Sequence, residues 1–392
     1  MNISDLKQRA IKNIDAARDE LIQLSVTIHA NPELAFKEFK SAALLSAALE
    51  KHGLEVERGI GGLETAFRAA ARGNRTGATV ALLAEYDALP EIGHACGHNI
   101  IGTAAIGAGL ALQPLMHEMP GRVLVIGTPA EEGGGGKIIL LKNGAFEGVN
   151  AAMMVHPAAR TMVTRGSLAN QRVTLEFFGK ASHAASSPED GVNALEALLA
   201  AFHNINAMRL HLKADARVHG IITHGGVAIN IVPEYAAGKF SVRGATRAYV
   251  GEIVQRVLQC AQAGAVATGA QFKYTVDEGY ADIIPNRAIA RAFAGNWRAI
   301  GVQVHEPRPN ERMGSTDMGD VSHALPALHP YIEIVPDGTP GHSTEMRAAS
   351  NSPVGHAGLL NAAKGLAMTT IDLLCDANLM QEVKREFDAA AK

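Results

Sequence analysis

The sequence predicts an α/β protein in which a mixed-sheet domain is interrupted by a smaller inserted domain. At 392 residues the chain is long for a single hydrophobic core, so two domains are expected. Apolar runs typical of buried strands alternate with helical stretches as far as residue 167, which favours a doubly wound or mixed sheet. Between residues 168 and 283 the order becomes β-α-β-β-α-β, the ferredoxin-like split motif. Residues 1–167 and 284–392 are therefore predicted to form one domain, and residues 168–283 the other.

Helical periodicity opens the chain. One helix is predicted from an apolar stripe whose members are spaced three and four residues apart: Ile14, Ala17, Leu21, Leu24 and Ile28. It is expected to end at Asn31, because the residue before a proline is disfavoured in a helix. Further apolar runs predict, in order, a helix over 36–51, an edge strand over 63–71, a buried strand over 78–84, a helix over 100–113, a strand over 122–128, a helix over 138–145 and a strand over 151–155.

The segment predicted to be inserted has clear signals of both kinds. Strands are predicted over 171–179, 218–224, 237–243 and 271–276, and helices over 190–210 and 249–268. After residue 285 the sequence predicts a helix over 287–300, a strand over 331–335 and a helix over 354–375. These last elements are expected to complete the first domain.

Composition and charge exclude several classes of function. A hydrophobic content of 47% is typical of a soluble globular protein, and a net charge of −3 gives no electrostatic reason to expect nucleic acid as a partner. No run reaches the roughly 18 apolar residues that a membrane span needs, so no membrane partner is expected. The first residues lack the features of a signal peptide, which makes the cytoplasm the expected compartment. Three cysteines are too few, and odd in number, for a disulfide scaffold.

The stretch His94–Asn99, His-Ala-Cys-Gly-His-Asn, carries the first chemical signal. It lies between a predicted buried strand and a predicted buried helix, which is where ligands bind in open α/β sheets. Cys96 and His98 offer a thiolate and an imidazole close together, and both are good ligands for zinc and related metals. His94 is expected to support these ligands rather than to bind a metal itself.

Two adjacent carboxylates follow the next predicted strand. Glu131 and Glu132 would repel each other unless a positive group holds them, and a metal ion is a natural candidate. One of them could bind the metal while the other accepts a proton from water. The alternative is a solvated acidic turn before a helix, whose dipole favours acids.

Two histidines complete the set of metal-type ligands. His156 ends the predicted strand 151–155, and His342 lies in a loop rich in glycine and proline. Taken singly, each is more often structural. Together the five residues are too many for one catalytic zinc, which usually takes three protein ligands, and they suit two metals that share ligands. The five are Cys96, His98, Glu132, His156 and His342.

These residues lie in motifs that together resemble the M20 family of metallopeptidases, specifically its amidohydrolase branch. The stretch from Glu85 to Asn99 is most similar to the subgroup of aminobenzoyl-glutamate hydrolases and M20 domain-containing dipeptidases. The motifs cover most of the chain in the expected order: His-Ala-Cys-Gly-His (94–98), Pro-Ala-Glu-Glu-Gly-Gly (129–134), Val-His-Pro (155–157), Gly-Lys-Ala-Ser-His-Ala-Ala (179–185), Gly-Gly-x-x-x-Asn-x-x-Pro (225–233) and Gly-His-Ser-Thr-Glu (341–345).

The resemblance implies a role for each matching residue. It implies that two divalent ions, zinc or manganese, are bound by Cys96, His98, Glu132, His156 and His342. Glu131 would be the general base. In the family the inserted domain dimerises and supplies a histidine to the partner's active site, and His183 matches that histidine. Asn230 matches the asparagine of the lid, and Arg243 matches an arginine that holds the substrate's carboxylate, a role that suits a guanidinium.

Three positions in or near the predicted metal site bear on its chemistry. Many relatives in this branch have Asp where this chain has Asn99, so one carboxylate is missing from the vicinity of the metals. The wider superfamily uses a bridging aspartate where this branch has Cys96, whose thiolate is softer and can be oxidised. Asp87 is expected to orient a ligand rather than to bind a metal.

The resemblance implies a metal-dependent amidohydrolase. It would cleave the amide bond of an N-acyl amino acid, an aminobenzoyl-glutamate-like conjugate or a dipeptide through a metal-activated water, with a homodimer formed by the inserted lid and dimerisation domain. The alternative is a non-catalytic metal-dependent binding protein on the same fold, but a binding protein has no need of Glu131. A nucleotide-dependent enzyme is disfavoured, because Gly136-Lys137 is followed by Ile138 rather than Ser or Thr and no Gly-x-Gly-x-x-Gly occurs.

Overall fold

A computed structural model of the chain describes residues 2–309 and 311–390. The chain forms two compact units, one made of Met1–Gly166 with Ile283–Lys392 and the other of Ser167–Asp282. The elements before the second unit are α1 (Ile3–Ala16), α2 (Arg18–Ala30), α3 (Phe39–Lys51), β1 (Glu55–Arg58), β2 (Phe67–Arg72), β3 (Arg75–Ala84), α4 (His98–Leu112), β4 (Pro120–Gly127), α5 (Gly136–Lys142), β5 (Ala151–Met153) and β6 (His156–Ala158).

The remaining elements belong to the second unit and to the end of the chain. The second unit contains β7 (Ala169–Phe178), α6 (Ala194–Arg209), β8 (Arg217–His224), β9 (Tyr235–Gly244), α7 (Arg247–Thr268) and β10 (Gln271–Val276). The first unit resumes with α8 (Arg287–Ala299), α9 (Met318–Ala324), β11 (Ala327–Leu328), β12 (Tyr331–Glu333), α10 (Thr344–Ala349), α11 (Pro353–Cys375) and α12 (Ala377–Ala390).

The first unit is built on a mixed sheet with the strand order β1-β2-β4-β3-β5-β11. Strands β4, β3, β5 and β11 run parallel, whereas β1 and β2 pair antiparallel at one side. Successive residues of β3 enter different apolar cores: Val80 and Leu82 pack with α1, α4 and α11, and Ala81 and Leu83 with α5 and α9. The sheet is therefore covered on both faces, which explains why its central strands are continuous apolar runs.

Three expectations from the sequence are wrong in detail. The apolar stripe that predicts one helix from Ile14 to Ile28 spans two helices, α1 and α2, which meet at Ala17. The strand predicted over 63–71 is not an edge strand, because β1 pairs with its outer side. The segment His98–Glu118 is long and apolar enough to cross a membrane, although no such run was expected. However, 83% of its most apolar stretch is buried inside the protein, which is the environment of a core helix.

The second unit has its own sheet and its own core. Its strands are antiparallel in the order β10-β7-β9-β8, and α6 and α7 pack on one face. The apolar core between these helices and the sheet consists of residues of this unit alone, among them Val173, Leu198, Phe240 and Val257.

Candidate metal centre and active site

The candidate centre lies at the carboxyl ends of three adjacent parallel strands of the first unit. The loop with Cys96 follows β3, Glu131 and Glu132 follow β4, and His156 follows β5. In open α/β sheets the carboxyl ends of neighbouring parallel strands meet at one edge, where ligands bind. The fold thus gathers segments that are far apart in the sequence.

Gly97 brings the Cys96 loop onto the His156 segment. It begins α4 as the N-cap with a φ of +81°, a conformation that residues with a side chain rarely adopt. A Cβ atom at this position would lie 2.4 Å from Cγ of Pro157. This close approach leaves Sγ of Cys96 3.4 Å from Nε2 of His156.

The hydrogen bonds of two histidines fix which nitrogen is available to a metal. Nδ1 of His98 lies 2.9 Å from Oδ1 of Asp87, and Nδ1 of His156 lies 2.7 Å from the carbonyl oxygen of Pro157. Because a carboxylate and a carbonyl only accept, each Nδ1 carries the proton and each Nε2 presents a lone pair. Nε2 of His98 is buried and has no hydrogen-bond partner, as expected for an atom that binds a metal.

The turn after β4 is held in an unusual backbone conformation. Ala130 has a φ of +63°, and its N–H donates to Oε1 of the buried Glu38 at 2.9 Å. The N–H of Glu132 donates to Oδ2 of Asp87 at 2.9 Å, so one carboxylate supports both His98 and the Glu132 backbone. Strain of this kind concentrates at functional sites.

His342 reaches the same place from a loop that precedes α10. Its φ is +54°, and Nε2 lies 3.2 Å from Oε1 of Glu132. The same carboxylate oxygen is 3.9 Å from Nε2 of His98. The side chain of His342 remains about half exposed, at 52%, whereas that of His98 is fully buried.

All five predicted ligands and Glu131 converge in three overlapping groups of potential metal donors. Within each group the donor atoms lie within 4.8 Å of one another. The groups are Cys96 with His98 and His156, Cys96 with Glu132 and His342, and His98 with Glu131 and Glu132. Cys96, His98 and Glu132 are each common to two of them, so the three groups form one continuous cluster of donors.

The electrostatics of the site favour a cation. Burial, together with Glu132, raises the pKa of the Cys96 thiol well above its usual range. Burial, together with Glu85 and Glu132, likewise raises the pKa of Glu131. A divalent ion supplies the opposite charge that this crowded set of acids lacks, and a coordinated thiol is deprotonated. The donor set therefore fits divalent metals, with imidazole and thiolate ligands that suit zinc.

The sequence analysis missed a buried ion-pair cluster beside these donors. Nζ of Lys137 donates to Oε1 of Glu85 at 2.5 Å and to Oδ1 of Asp317 at 2.6 Å, and none of these side chains is more than 1% exposed. The other oxygen of Glu85 has no hydrogen-bond partner and lies 3.5 Å from Nε2 of His98. In the sequence, Lys137 bears only on a P-loop, which is excluded because neither Ser nor Thr follows it.

The remaining predicted site residues lie in the second unit. Nδ1 of His183 accepts hydrogen bonds from the N–H groups of Ala185 and Ser186, both at 3.2 Å. The carbonyl of Asn230 accepts from the N–H of Ala184 at 3.0 Å, so the loops of His183 and Asn230 are neighbours. Arg243 lies on β9, opposite Asn170 of β7 and Arg217 of β8.

Comparison with known proteins identifies the family. Residues 81–351 match peptidase family M20/M25/M40. The chain belongs to this family. It is 38% identical over 402 residues to the Xaa-Arg dipeptidase of Mus musculus, a match that covers 97% of this chain and 92% of the relative. It is 31% identical to one of the subunits of the p-aminobenzoyl-glutamate hydrolase of Escherichia coli, with 95% and 93% of the two chains covered.

A solved structure supports the same fold. A Bacillus subtilis protein described as a dinuclear metal-binding peptidase of the M20 family aligns with a TM-score of 0.71 and 21% identity, covering 92% of this chain and 99% of that one. As a member of the M20 family, the 392-residue chain is accordingly an enzyme that hydrolyses amide bonds with divalent metal ions. The comparisons give no support to a non-catalytic binding protein on this fold.

Proposed function

We propose that this M20 enzyme releases an amino acid from a small N-acyl amino acid, aminobenzoyl-glutamate-like conjugate or dipeptide. The relatives named above as a dipeptidase and an aminobenzoyl-glutamate hydrolase support this substrate class. The single observation that carries the proposal is the convergence of five metal-type donors beside Glu131.

Two ions, zinc or manganese, would be held by two donor groups that share a thiolate. One group is Cys96 with His98 and His156, and the other is Cys96 with Glu132 and His342. Asp87 orients the His98 ring by accepting the hydrogen bond from its Nδ1–H. The same carboxylate restrains the backbone of Glu132. When bound, the ions polarise the amide carbonyl and lower the pKa of water towards about 7. Cys96 must stay reduced to serve both groups, which supports the cytoplasm as the compartment.

Glu131 would transfer the proton from the attacking water to the leaving nitrogen. It is buried and stands in the same donor group as His98 and Glu132. Its carboxylate takes a proton from the attacking water, the oxygen adds to the amide carbon, and the C–N bond breaks. Glu131 then gives the proton to the leaving nitrogen, so the products are a carboxylic acid and an amine.

The second unit supplies the groups that bind the substrate. Because Nδ1 of His183 accepts two backbone N–H groups, the neutral ring carries its proton on the exposed Nε2. An Nε2–H donor suits the stabilisation of a developing oxyanion. The guanidinium of Arg243 suits the α-carboxylate of the amino acid, and Asn230 offers a side-chain amide beside His183.

The same unit is proposed to form a homodimer, acting as a ferredoxin-like lid and dimerisation domain. Its β8 is the last strand of the sheet and exposes Ile221 and Ile222 by 64% and 44%. An exposed apolar edge strand is a ready pairing surface. Analytical ultracentrifugation should show a dimer that Ile221→Lys converts to monomer. Mixing His183→Ala and Arg243→Ala subunits should restore part of the activity if His183 serves the partner's site and Arg243 serves the site of its own subunit.

A Glu131→Gln variant tests the function. Hydrolysis should fall by several orders of magnitude, because the amide cannot accept the proton, while metal binding measured by calorimetry stays within about threefold. Chelation with EDTA should abolish activity, and Mn²⁺ or Zn²⁺ should restore it. Glu147→Gln, which changes an exposed carboxyl elsewhere in the unit, is the matched control. Near-normal turnover in Glu131→Gln, or hydrolysis that survives chelation, would contradict the proposal.

A further inference from the structure

A cavity of about 440 Å³ opens in the first unit beside two of the candidate metal ligands, Cys96 and His156. This volume is within the range of small-molecule sites. Four arginines line its wall: Arg160, Arg165, Arg308 and Arg312. The mechanism proposed above uses none of them.

The positive charge of this wall is only partly compensated. Arg160 forms an ion pair with Glu311 at 2.6 Å, and Arg308 pairs with Asp337. These two acids are the only carboxylates among the residues described along the wall, so four guanidiniums leave a net charge of +2. Neither Arg165 nor Arg312 forms an ion pair within the described part of the chain.

Arg165 is held ready for a ligand. Its Nε and Nη2 both donate to the carbonyl oxygen of Arg312, the former at 3.0 Å, so that Nη1 is left for a ligand, and its guanidinium lies 4.7 Å from the ring centre of Tyr331. The ring of Tyr331 is in turn 5.7 Å from that of His156. Contacts from Arg165 to Tyr331 and from Tyr331 to His156 thus connect the basic wall to the candidate metal ligands. A guanidinium fixed in this way loses little freedom when it binds a carboxylate through its remaining N–H groups.

We propose that this cavity binds a side-chain carboxylate of the substrate, so that the enzyme prefers conjugates of dicarboxylic amino acids, glutamate or aspartate. The inference rests on the proposed amide hydrolysis. A second carboxylate next to the scissile bond meets the uncompensated charges of Arg165 and Arg312. A lysine or arginine side chain there would meet like charges and would be disfavoured.

A series of three substrates with one acyl group tests the preference. The Mn²⁺-loaded enzyme is assayed with N-benzoyl-glutamate, N-benzoyl-glutamine and N-benzoyl-lysine, where glutamine is the neutral match for glutamate. We expect kcat/KM for the glutamate conjugate to exceed that for glutamine by roughly tenfold or more, with lysine lower still. Equal values for glutamate and glutamine, or a preference for lysine, would overturn the inference while leaving the proposed hydrolysis intact.

Variants assign the preference to the cavity. Arg165→Gln and Arg312→Gln should each lower kcat/KM for the glutamate conjugate by about tenfold, mainly through KM, and leave glutamine nearly unchanged. If either arginine had a purely structural role, its loss would lower kcat/KM for both substrates alike. That result would count against the proposal. Arg291→Gln, an exposed arginine paired with Glu382, is the control that should change neither.

Binding separates failure of the inference from failure of the proposed function. If none of the three conjugates is cleaved, and neither are aminobenzoyl-glutamate and a panel of dipeptides, the proposed hydrolysis is contradicted. Titration calorimetry with the same compounds then decides the inference alone. Tighter binding of benzoyl-glutamate that depends on Arg312 supports it, and equal binding of all three overturns it.

Discussion

Gly97 determines how closely two segments of the candidate metal centre approach each other. Its φ of +81° is unfavourable for any residue with a side chain, and Pro157 occupies the space that a Cβ would need. Cys96 and His98 are its neighbours in sequence, and His156 precedes Pro157. The residue that shapes the centre most directly is therefore one that offers no ligand atom.

Gly97→Ala should disrupt the centre. Because the new methyl group would overlap Pro157, the Cys96 loop must move away from His156, and we expect divalent-metal affinity to fall by about tenfold or more. Calorimetric titration of the metal-free protein measures this. Gly148→Ala is a matched control, since its φ is +74° but no atom lies within 4 Å of the added Cβ. It should lose about 1 kcal/mol of stability and keep its metal affinity.

Asn99 has two clear structural partners. Its side chain is fully buried, and Nδ2 donates to Oγ of Ser25 at 2.9 Å and to the carbonyl oxygen of Ser350 at 3.0 Å. A carboxylate could not donate to Ser350. In this chain the amide joins the start of α4 to the segment before α11, a contact between residues 251 apart that no local pattern reveals.

Asn99→Asp should therefore lower the free energy of unfolding of the enzyme. A carboxylate at this position would be buried against a carbonyl oxygen, at a cost of roughly 2 kcal/mol or more. Denaturant unfolding in the presence of EDTA gives the change without a contribution from metal. Asn143→Asp replaces an exposed amide that donates to the carbonyl of Gly61 and should change stability far less. Equal losses in the two variants would contradict the role of burial.

At the scale of elements, Lys137 joins three of them behind the metal centre. It lies in α5 and contacts Glu85, which follows β3, and Asp317, which precedes α9. Burial opposes its charge, but Asp317 and Glu85 hold the pKa of Lys137 above its usual value. Burial also raises the pKa of Asp317 to about 6, although Lys137 opposes this shift. The ammonium group is thus the counter-charge that keeps two buried carboxylates in place.

Lys137→Met should leave the buried carboxylates of Glu85 and Asp317 without their counter-charge and lower stability by roughly 3–5 kcal/mol. Denaturant unfolding in EDTA measures this loss. The triple variant with Glu85→Gln and Asp317→Asn should recover part of it, because the charges are removed together. Lys384→Met, which breaks an exposed pair with Asp388, should have little effect. A small loss in Lys137→Met would show that the cluster contributes little.

The elements that could be predicted are those with a strong apolar pattern. Strands β3 and β4 and helices α4, α7 and α11 follow from runs or stripes of apolar residues. By contrast, β1 has the sequence Glu-Val-Glu-Arg and is mostly exposed, so pairing with β2 rather than burial makes it a strand. The break at Ala17 is equally hidden, since the apolar stripe continues across it.

The candidate metal donors could be recognised in the sequence only as a set, because each taken singly has an ordinary structural explanation. Their convergence follows from the order of β4, β3 and β5, which the apolar pattern alone does not give. The Lys137 cluster was not predictable, because its partners are 52 and 180 residues away and look like ordinary charges in the sequence. Local pattern therefore indicates the ligands but not the groups that balance their charge.

At the scale of the whole molecule, each unit has a hydrophobic core of its own. The ends of the second unit are also tied together, because Asn170 and Tyr280 exchange backbone hydrogen bonds of 2.9 and 3.1 Å. A segment with joined ends and a separate core has what a domain needs to fold independently.

A fragment of residues 167–282 should therefore fold alone. We expect a cooperative thermal transition by circular dichroism that EDTA does not shift, because the metal donors are in the other unit. In the full chain, EDTA should lower the transition that reports on the first unit, since an ion bound to the folded state stabilises it. An unfolded fragment, or a metal-dependent transition in it, would contradict the independence of the two units.

The uneven exposure of the donors has a consequence for how the enzyme keeps its ions. His98 is sealed in the interior, whereas His342 approaches from a solvent-facing loop. Of the two ions proposed above, the one held on the His342 side should exchange quickly with the medium, and the one beside His98 should be retained. When the supply of metal is short, the protein would pass through a half-loaded state, and catalysis would follow the availability of the more labile ion.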